Sequence, residues 1–165
     1  MAPCSIIILE GCDKTGKTSM ATALSEVLTW PVVKHGPPKG GYPLDEYYQT
    51  LTDHPEPFIA DRYHVGESVY GPLYRGGRRL NQLDLRAFEA VLSTRNALLV
   101  LMEDDAQAIV ERFRKLNEAF ARADDIPSIL SRYRLEFGRS KLQKVALRYS
   151  PLLPYTVAAL AGSIR

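Results

Sequence analysis

Residues 6–19 read IIILEGCDKTGKTS, and this stretch decides the fold. The apolar run Ile6–Leu9 predicts a strand buried on both faces, as is usual in parallel sheets. Residues 11–18 then match the pattern G-x-x-x-x-G-K-[ST]. Apolar residues at helical spacing follow from Met20 to Leu28. A buried strand, a glycine-containing loop and a helix in this order predict a phosphate-binding loop, because loop N–H groups and the helix N-terminus attract phosphate.

Strand and helix patterns alternate along the rest of the chain. Apolar runs predict further strands at 31–34, 57–60, 97–102 and 144–149, and helical spacing predicts helices between them. Five short strands separated by helices predict an α/β fold with a five-stranded parallel sheet flanked by helices. No linker or repeat interrupts the 165 residues, so residues 1–165 are expected to form one domain.

The composition is that of an ordinary globular protein, with 45% hydrophobic residues, 24% charged residues and a net charge of +2. This charge is too small to indicate nucleic-acid binding by itself. Two cysteines, Cys4 and Cys12, cannot form a disulfide framework, and they indicate a reducing compartment. We therefore expect a cytoplasmic protein, in the host cytoplasm if it is viral. The apolar runs are too short to cross a membrane, so no membrane partner is expected.

The phosphate-binding loop alone indicates a nucleotide, because GTPases, ATPases, kinases and motor domains share it; for a kinase we expect ATP and Mg²⁺ as cofactors. Lys17 can reach the β- and γ-phosphates, and the Thr18 hydroxyl can bind Mg²⁺. The sequence lacks the N-K-x-D string of a switch GTPase, and no D-x-x-G string follows a later strand. The residues predicted to bind the nucleotide are Gly11, Asp13, Lys14, Thr15, Gly16, Lys17, Thr18 and Ser19.

Three segments carry a family resemblance. Residues 9–19, LEGCDKTGKTS, closely resemble the opening of thymidylate kinases, with an E-G-x-D prefix and a basic residue inside the loop. Residues 61–63, DRY, followed by Ser68 and Tyr70, resemble that family's D-R-[YH] segment. Residues 109–115, IVERFRK, resemble the arginine-rich entrance to the kinase lid. The resemblance implies a compact, virus-type member with a single-domain P-loop kinase fold.

The resemblance also implies roles for single residues. Asp61 would lie near the metal and the phosphates, Arg62 would hold the acceptor, and Asp13 would contact a deoxyribose hydroxyl. The lid would span about residues 112–124, and its arginines would stabilise charge on the transferred group. The predicted catalytic residues are Lys17, Asp61, Arg62, Arg112 and Arg114, and the predicted metal ligands are Thr18 and Asp61.

The acceptor half departs from the family. Thymidylate kinases carry an R-E-P-type segment after the second strand, whereas residues 34–38 here read KHGPP, and the thymine-reading helix looks absent. Glu67 is a candidate general base, and Arg75 could bind an anionic acceptor. The full set of predicted acceptor-binding residues is Asp13, Lys34, Tyr42, Arg62, Glu67, Tyr70 and Arg75.

Three functions remain open at this point. The first is an ATP-dependent kinase of a deoxynucleotide-type acceptor, similar to a thymidylate or deoxynucleoside monophosphate kinase. The second is a kinase of a hydroxyl acceptor, either a deoxynucleoside or a hydroxymethylated pyrimidine in DNA, as in phage base hypermodification. In that case DNA would be a partner. The third is a nucleotide-gated binding module without transfer chemistry. Each is compatible with a homodimer.

Overall fold

The computed structural model describes residues 4–77, 80–116, 121–148, 150 and 153–164. Within these residues lie five strands and seven α-helices. They are β1 (Ile6–Glu10), α1 (Lys17–Leu28), β2 (Val32–Lys34), α2 (Pro43–Asp53), β3 (Phe58–Asp61), α3 (His64–Tyr74), α4 (Gln82–Thr94), β4 (Leu98–Glu103), α5 (Ala106–Leu116), α6 (Ile126–Arg139), β5 (Gln143–Arg148) and α7 (Leu153–Ile164).

The five strands form one sheet in the order β2-β3-β1-β4-β5, and every neighbouring pair is parallel. This arrangement confirms the predicted fold class. All five side chains of β1 are buried, because β3 and β4 flank this strand and helices cover both faces of the sheet. In an open parallel sheet, ligands bind beyond the carboxyl ends of the strands, where the strand order changes direction. The loop after β1 therefore lies at the expected position for a site.

The predicted strand ends differ slightly from the observed ones. β3 includes Asp61, because this residue pairs with Leu9 of β1 and with Lys34 of β2. The sequence prediction ended this strand one residue earlier, at Ala60. The fifth predicted strand extended to Tyr149, which lies outside the described residues.

Two apolar layers hold the helices against the sheet. Successive side chains of β1 alternate between them, so that Ile6 and Ile8 enter one layer while Ile7 and Leu9 enter the other. The first layer contains an aromatic cluster in which Phe88 of α4 contacts several tyrosines. The second layer packs α1 and α7 against the opposite face of the sheet. In the part of the chain that the structure describes, no helix is long and apolar enough to cross a membrane.

We predict that Gly11→Ala destabilises the fold, because Gly11 has a φ of 139° and an added Cβ would lie 2.3 Å from the Met102 carbonyl oxygen. The free energy of unfolding should fall by about 2 kcal/mol or more. Gly138→Ala is the matched control, since Gly138 is exposed in α6 with no heavy atom within 4 Å of the added Cβ. Alanine there should raise the free energy of unfolding by about 0.5–1 kcal/mol. Equal effects in urea denaturation would contradict the assigned loop geometry.

Candidate active site

The phosphate-binding loop is closed around the amine of Lys17. The Lys17 Nζ atom donates to the Gly11 oxygen at 2.8 Å and to the Cys12 oxygen at 2.6 Å. Helix α1 begins at Lys17 itself, after Gly16, which takes a left-handed conformation with a φ of 86°. Burial lowers the pKa of Lys17, and the nearby Arg62 charge acts in the same direction. The amine therefore lies at the N-terminus of a helix, where backbone N–H groups and a cation can meet the same phosphates.

Thr18 and Asp61 join the loop to the end of β3. The Thr18 hydroxyl donates to the Asp61 Oδ2 atom at 2.8 Å. Asp61 is fully buried, and its Oδ1 atom has no hydrogen-bond partner. An unpartnered carboxylate oxygen beside a hydroxyl is the donor set that Mg²⁺ prefers, so these residues fit the predicted metal. Within the described residues no group of three or more His, Cys, Asp or Glu forms a metal cluster, so phosphate and water oxygens would complete the coordination.

Arg62, a predicted acceptor-binding residue, contacts the loop after β1. Its guanidinium forms an ion pair with Asp13, and its backbone N–H donates to the Leu9 oxygen at 3.0 Å. The φ of 69° is the left-handed conformation, which costs free energy for a residue other than glycine. Burial alone would lower the pKa of Arg62, but the Asp13 carboxylate raises it. The turn therefore places the Arg62 guanidinium against Asp13 of the loop after β1.

Glu10 is the site residue that the sequence analysis missed. Its Oε1 atom accepts backbone N–H bonds from Tyr63 at 2.9 Å, Val65 at 3.1 Å and Gly66 at 3.2 Å. The Tyr133 hydroxyl donates to its Oε2 atom at 3.4 Å. Burial raises the pKa of Glu10, whereas the facing His64 charge and these N–H bonds lower it. The available signal was a charged residue at the end of a fully apolar strand.

An open cleft lies beside Asp13 and Arg62. Aromatic rings and prolines form much of its surface. The described residues that line it are Asp13, Gly36, Pro37, Pro38, Tyr47, Arg62, Tyr63, Gly66, Glu67, Tyr70 and Arg75.

Five of the seven predicted acceptor residues therefore meet in this cleft, namely Asp13, Arg62, Glu67, Tyr70 and Arg75. The structure does not bring the other two there. Lys34 is exposed on the edge strand β2, and the Tyr42 hydroxyl donates to Asp84 of α4.

The cleft contains a second arginine–carboxylate pair. Arg75, just after α3, forms an ion pair with Glu67, whose side chain is fully buried. Arg75 therefore already has a carboxylate partner within the cleft.

The predicted lid is anchored at both described ends. Arg112 donates to the Lys14 oxygen of the phosphate loop and forms an ion pair with Asp104 after β4. Arg114 is exposed in the last turn of α5.

At the far end of the predicted lid, the Tyr74 hydroxyl of α3 donates to the Asp125 Oδ2 atom at 2.6 Å and accepts the Arg122 N–H at 3.3 Å. Residues 117–120 of the predicted lid lie outside the described residues.

Comparison with known proteins identifies a relative of similar length. No family model matches the chain. Over 134 residues the sequence is 30% identical to YorR, an SPbeta prophage-derived uncharacterized protein of Bacillus subtilis strain 168, covering 79% of this chain and 80% of YorR. The crystal structure of YorR in complex with phosphorylated GDP aligns with a TM-score of 0.77 and 26% identity, covering 96% of this chain and 92% of that one.

Two more distant solved structures share the fold. Deoxyadenosine kinase from M. mycoides with bound dCTP aligns with a TM-score of 0.65 and 12% identity, over 96% of this chain and all of that one. A gluconokinase from Sinorhizobium meliloti 1021 aligns with a TM-score of 0.58 and 17% identity, over 98% of this chain and 95% of that one. At these identities the likeness shows the fold alone, which is that of P-loop kinases.

We predict that Glu10→Ala lowers the free energy of unfolding by about 3–5 kcal/mol, because three buried N–H groups lose their acceptor. Glu10→Gln keeps a side-chain oxygen for those N–H groups and should lose less than half as much. Chemical denaturation of the two variants measures the difference. Equal losses would show that the negative charge, and not the hydrogen-bond acceptor, holds the start of α3.

Proposed function

The chain belongs to the family of the Bacillus subtilis protein YorR, and on this basis we propose that it is an ATP-dependent kinase acting on a deoxynucleotide-type acceptor. One observation carries the proposal. The Asp13–Arg62 pair lines an open cleft, and the Asp13 carboxylate lies 4.0 Å from the Lys17 amine of the phosphate loop. A kinase needs this juxtaposition of a phosphate site with a second pocket, whereas a hydrolase needs only the first.

The donor side follows from the loop. The N–H groups of the loop and of the first turn of α1 would hold the β- and γ-phosphates of ATP, and Lys17 would exchange its two carbonyl partners for phosphate oxygens. The YorR complex with phosphorylated GDP supports a site for phosphorylated nucleotides in this family. Thr18 and Asp61 would hold Mg²⁺, which neutralises charge on the phosphates when it is bound. Arg62 would orient the acceptor towards the γ-phosphate.

Residues 112–124 are proposed as a lid that closes over the donor. Arg112 already contacts the phosphate loop through the Lys14 oxygen, so a small movement of α5 would bring its guanidinium to the phosphates. A cation at this position stabilises the charge that spreads over the transferred group. Tyr74 links the far end of the segment to α3, which carries the acceptor residues. Closure and acceptor binding would therefore be coupled.

The resemblance to thymidylate kinases favours a deoxynucleoside monophosphate as the acceptor. One observation favours the second candidate, a hydroxyl acceptor such as a deoxynucleoside or a hydroxymethylated pyrimidine in DNA. Among the described residues that line the cleft, each arginine is paired with a carboxylate, Arg62 with Asp13 and Arg75 with Glu67. These charges cancel, and a phosphate monoester with a charge of about −2 would need an unpaired cation.

The function is tested by supplying γ-³²P-labelled ATP and Mg²⁺ together with each acceptor class. The acceptors are deoxynucleosides, their 5′-monophosphates, and plain or hydroxymethylated DNA. We expect label in one acceptor class, and we expect Lys17→Ala to lower the rate at least about 10²-fold. Lys141→Ala, at an exposed lysine after α6, is the control and should leave the rate unchanged. Label found only in inorganic phosphate, with every acceptor, would identify a nucleotide-gated module without transfer chemistry.

We predict that Arg112→Ala lowers kcat by about 10–10³-fold with a smaller change in the KM for ATP, because the guanidinium acts when charge develops on the transferred group. Arg114→Ala should have a weaker effect, since Arg114 is exposed, whereas Arg112 contacts the phosphate loop. Lys115→Ala controls for the loss of a positive charge from the same helix. Steady-state kinetics of the three variants would refute the assignment if Arg112→Ala and Lys115→Ala behaved alike.

A further inference from the structure

The Glu67–Arg75 pair retains two unused hydrogen-bonding atoms. The Glu67 Oε1 atom and the Arg75 Nε atom are both buried without a hydrogen-bond partner, although the two side chains are paired through other atoms. A buried polar atom without a partner costs free energy, and such atoms recur where a ligand supplies the missing bond. One atom is an acceptor and the other is a donor. Both belong to side chains that line the cleft.

Aromatic and proline side chains surround this pair in the cleft. Tyr47, Tyr63 and Tyr70 line the same cleft, together with Pro37 and Pro38. Burial is the main cause that raises the pKa of Tyr47. The Glu67 carboxylate raises this pKa further, and the Arg75 guanidinium lowers it. Aromatic faces bind planar rings by stacking. The surroundings of the pair therefore favour a planar heterocycle over a sugar or a phosphate.

Residue 71 places no side chain against the Glu67 Oε1 atom. Gly71 lies one turn after Glu67 on α3, and a Cβ at this position would lie 2.9 Å from the Glu67 Oε1 atom. A glycine inside a helix costs about 1 kcal/mol relative to alanine. This cost is explained if the space beside the carboxylate must stay open. The net charge of the pair is zero, which argues against a phosphate as its ligand.

From these contacts we infer that Glu67 and Arg75 recognise the hydrogen-bonding edge of a nucleobase on the acceptor. Glu67 accepts a ring or exocyclic N–H, and Arg75 donates to the neighbouring carbonyl oxygen or ring nitrogen. The inference rests on the proposed kinase function, and it holds for a nucleotide, a nucleoside or an extruded base of DNA. It assigns both residues to acceptor specificity. Under this inference Glu67 is not a general base and Arg75 is not a phosphate ligand. These were the roles that the sequence suggested for them.

The experiment combines binding and transfer measurements on one set of ligands. The set comprises the deoxynucleosides and 5′-monophosphates of the four bases, and 2-deoxyribose 5-phosphate, which has no base. Calorimetry gives the Kd of each ligand, and labelled ATP gives kcat/KM. The wild-type protein should prefer one base at least about tenfold in both measurements. It should bind the base-free sugar phosphate at least about tenfold more weakly than the preferred nucleotide.

Glu67→Gln is the first variant, because it keeps the shape of the side chain. It should lower kcat/KM for the preferred base about 10–100-fold, mainly through KM, and should leave the base-free ligand unaffected. The double variant Glu67→Gln and Arg75→Gln, which buries no unpaired charge, should lose base preference altogether. An equal loss for all ligands, including the base-free one, would overturn the inference, as would a loss confined to kcat.

The two proposals fail in different ways. Base-selective binding that is lost in the variants, without transfer to any acceptor, would overturn the kinase function and support the recognition of the base. Transfer without base preference would support the kinase function and overturn the role of Glu67 and Arg75. The absence of both binding and transfer would overturn both.

Discussion

The buried carboxylate of Glu10 holds the two halves of the site together. It lies at the end of β1, directly before the phosphate loop. It accepts backbone N–H groups at the start of α3, the helix that lines the cleft. Removing a carboxylate from water costs several kcal/mol. The backbone N–H bonds recover part of this cost, but burial has the larger effect and raises the pKa of Glu10 above its usual value. The positive end of the α3 helix dipole also stabilises a negative charge on Glu10. As a result, Asp61 at the end of β3 and Arg62 in the turn before α3 have a fixed position relative to the loop.

Charge pairing inside the site follows from that fixed position. Lys17 uses loop carbonyls as partners, and each arginine of the cleft is paired with a carboxylate. Buried cations without partners would destabilise the protein, so the contacts protect these side chains before substrates arrive. In the proposed kinase, substrate binding would replace one set of partners by another. Discrimination between substrates would then depend on which of them can bond to the polar atoms that the exchange exposes.

The fold could be predicted from the sequence because it depends on local patterns. Apolar runs, helical spacing and one loop motif predict the sheet and the phosphate site, and the structure confirms the parallel five-stranded sheet. The acceptor half depends on contacts between distant residues, which no local pattern encodes. Tyr42 illustrates this difference: its position in a loop after β2 suggested a contact with the acceptor, whereas its hydroxyl meets Asp84 of α4. The role of Glu10 also required three N–H groups that lie more than fifty residues away in the chain.

A crystal structure with Mg²⁺, a non-hydrolysable ATP analogue and the preferred acceptor tests the central claim most directly. The claim is that the phosphate loop and the cleft form one site for group transfer. We predict that the metal contacts Thr18 and Asp61, and that an acceptor oxygen lies about 3–3.5 Å from the γ-phosphorus. An acceptor bound outside the cleft, or separated from the γ-phosphate by the Asp13–Arg62 pair, would contradict the account.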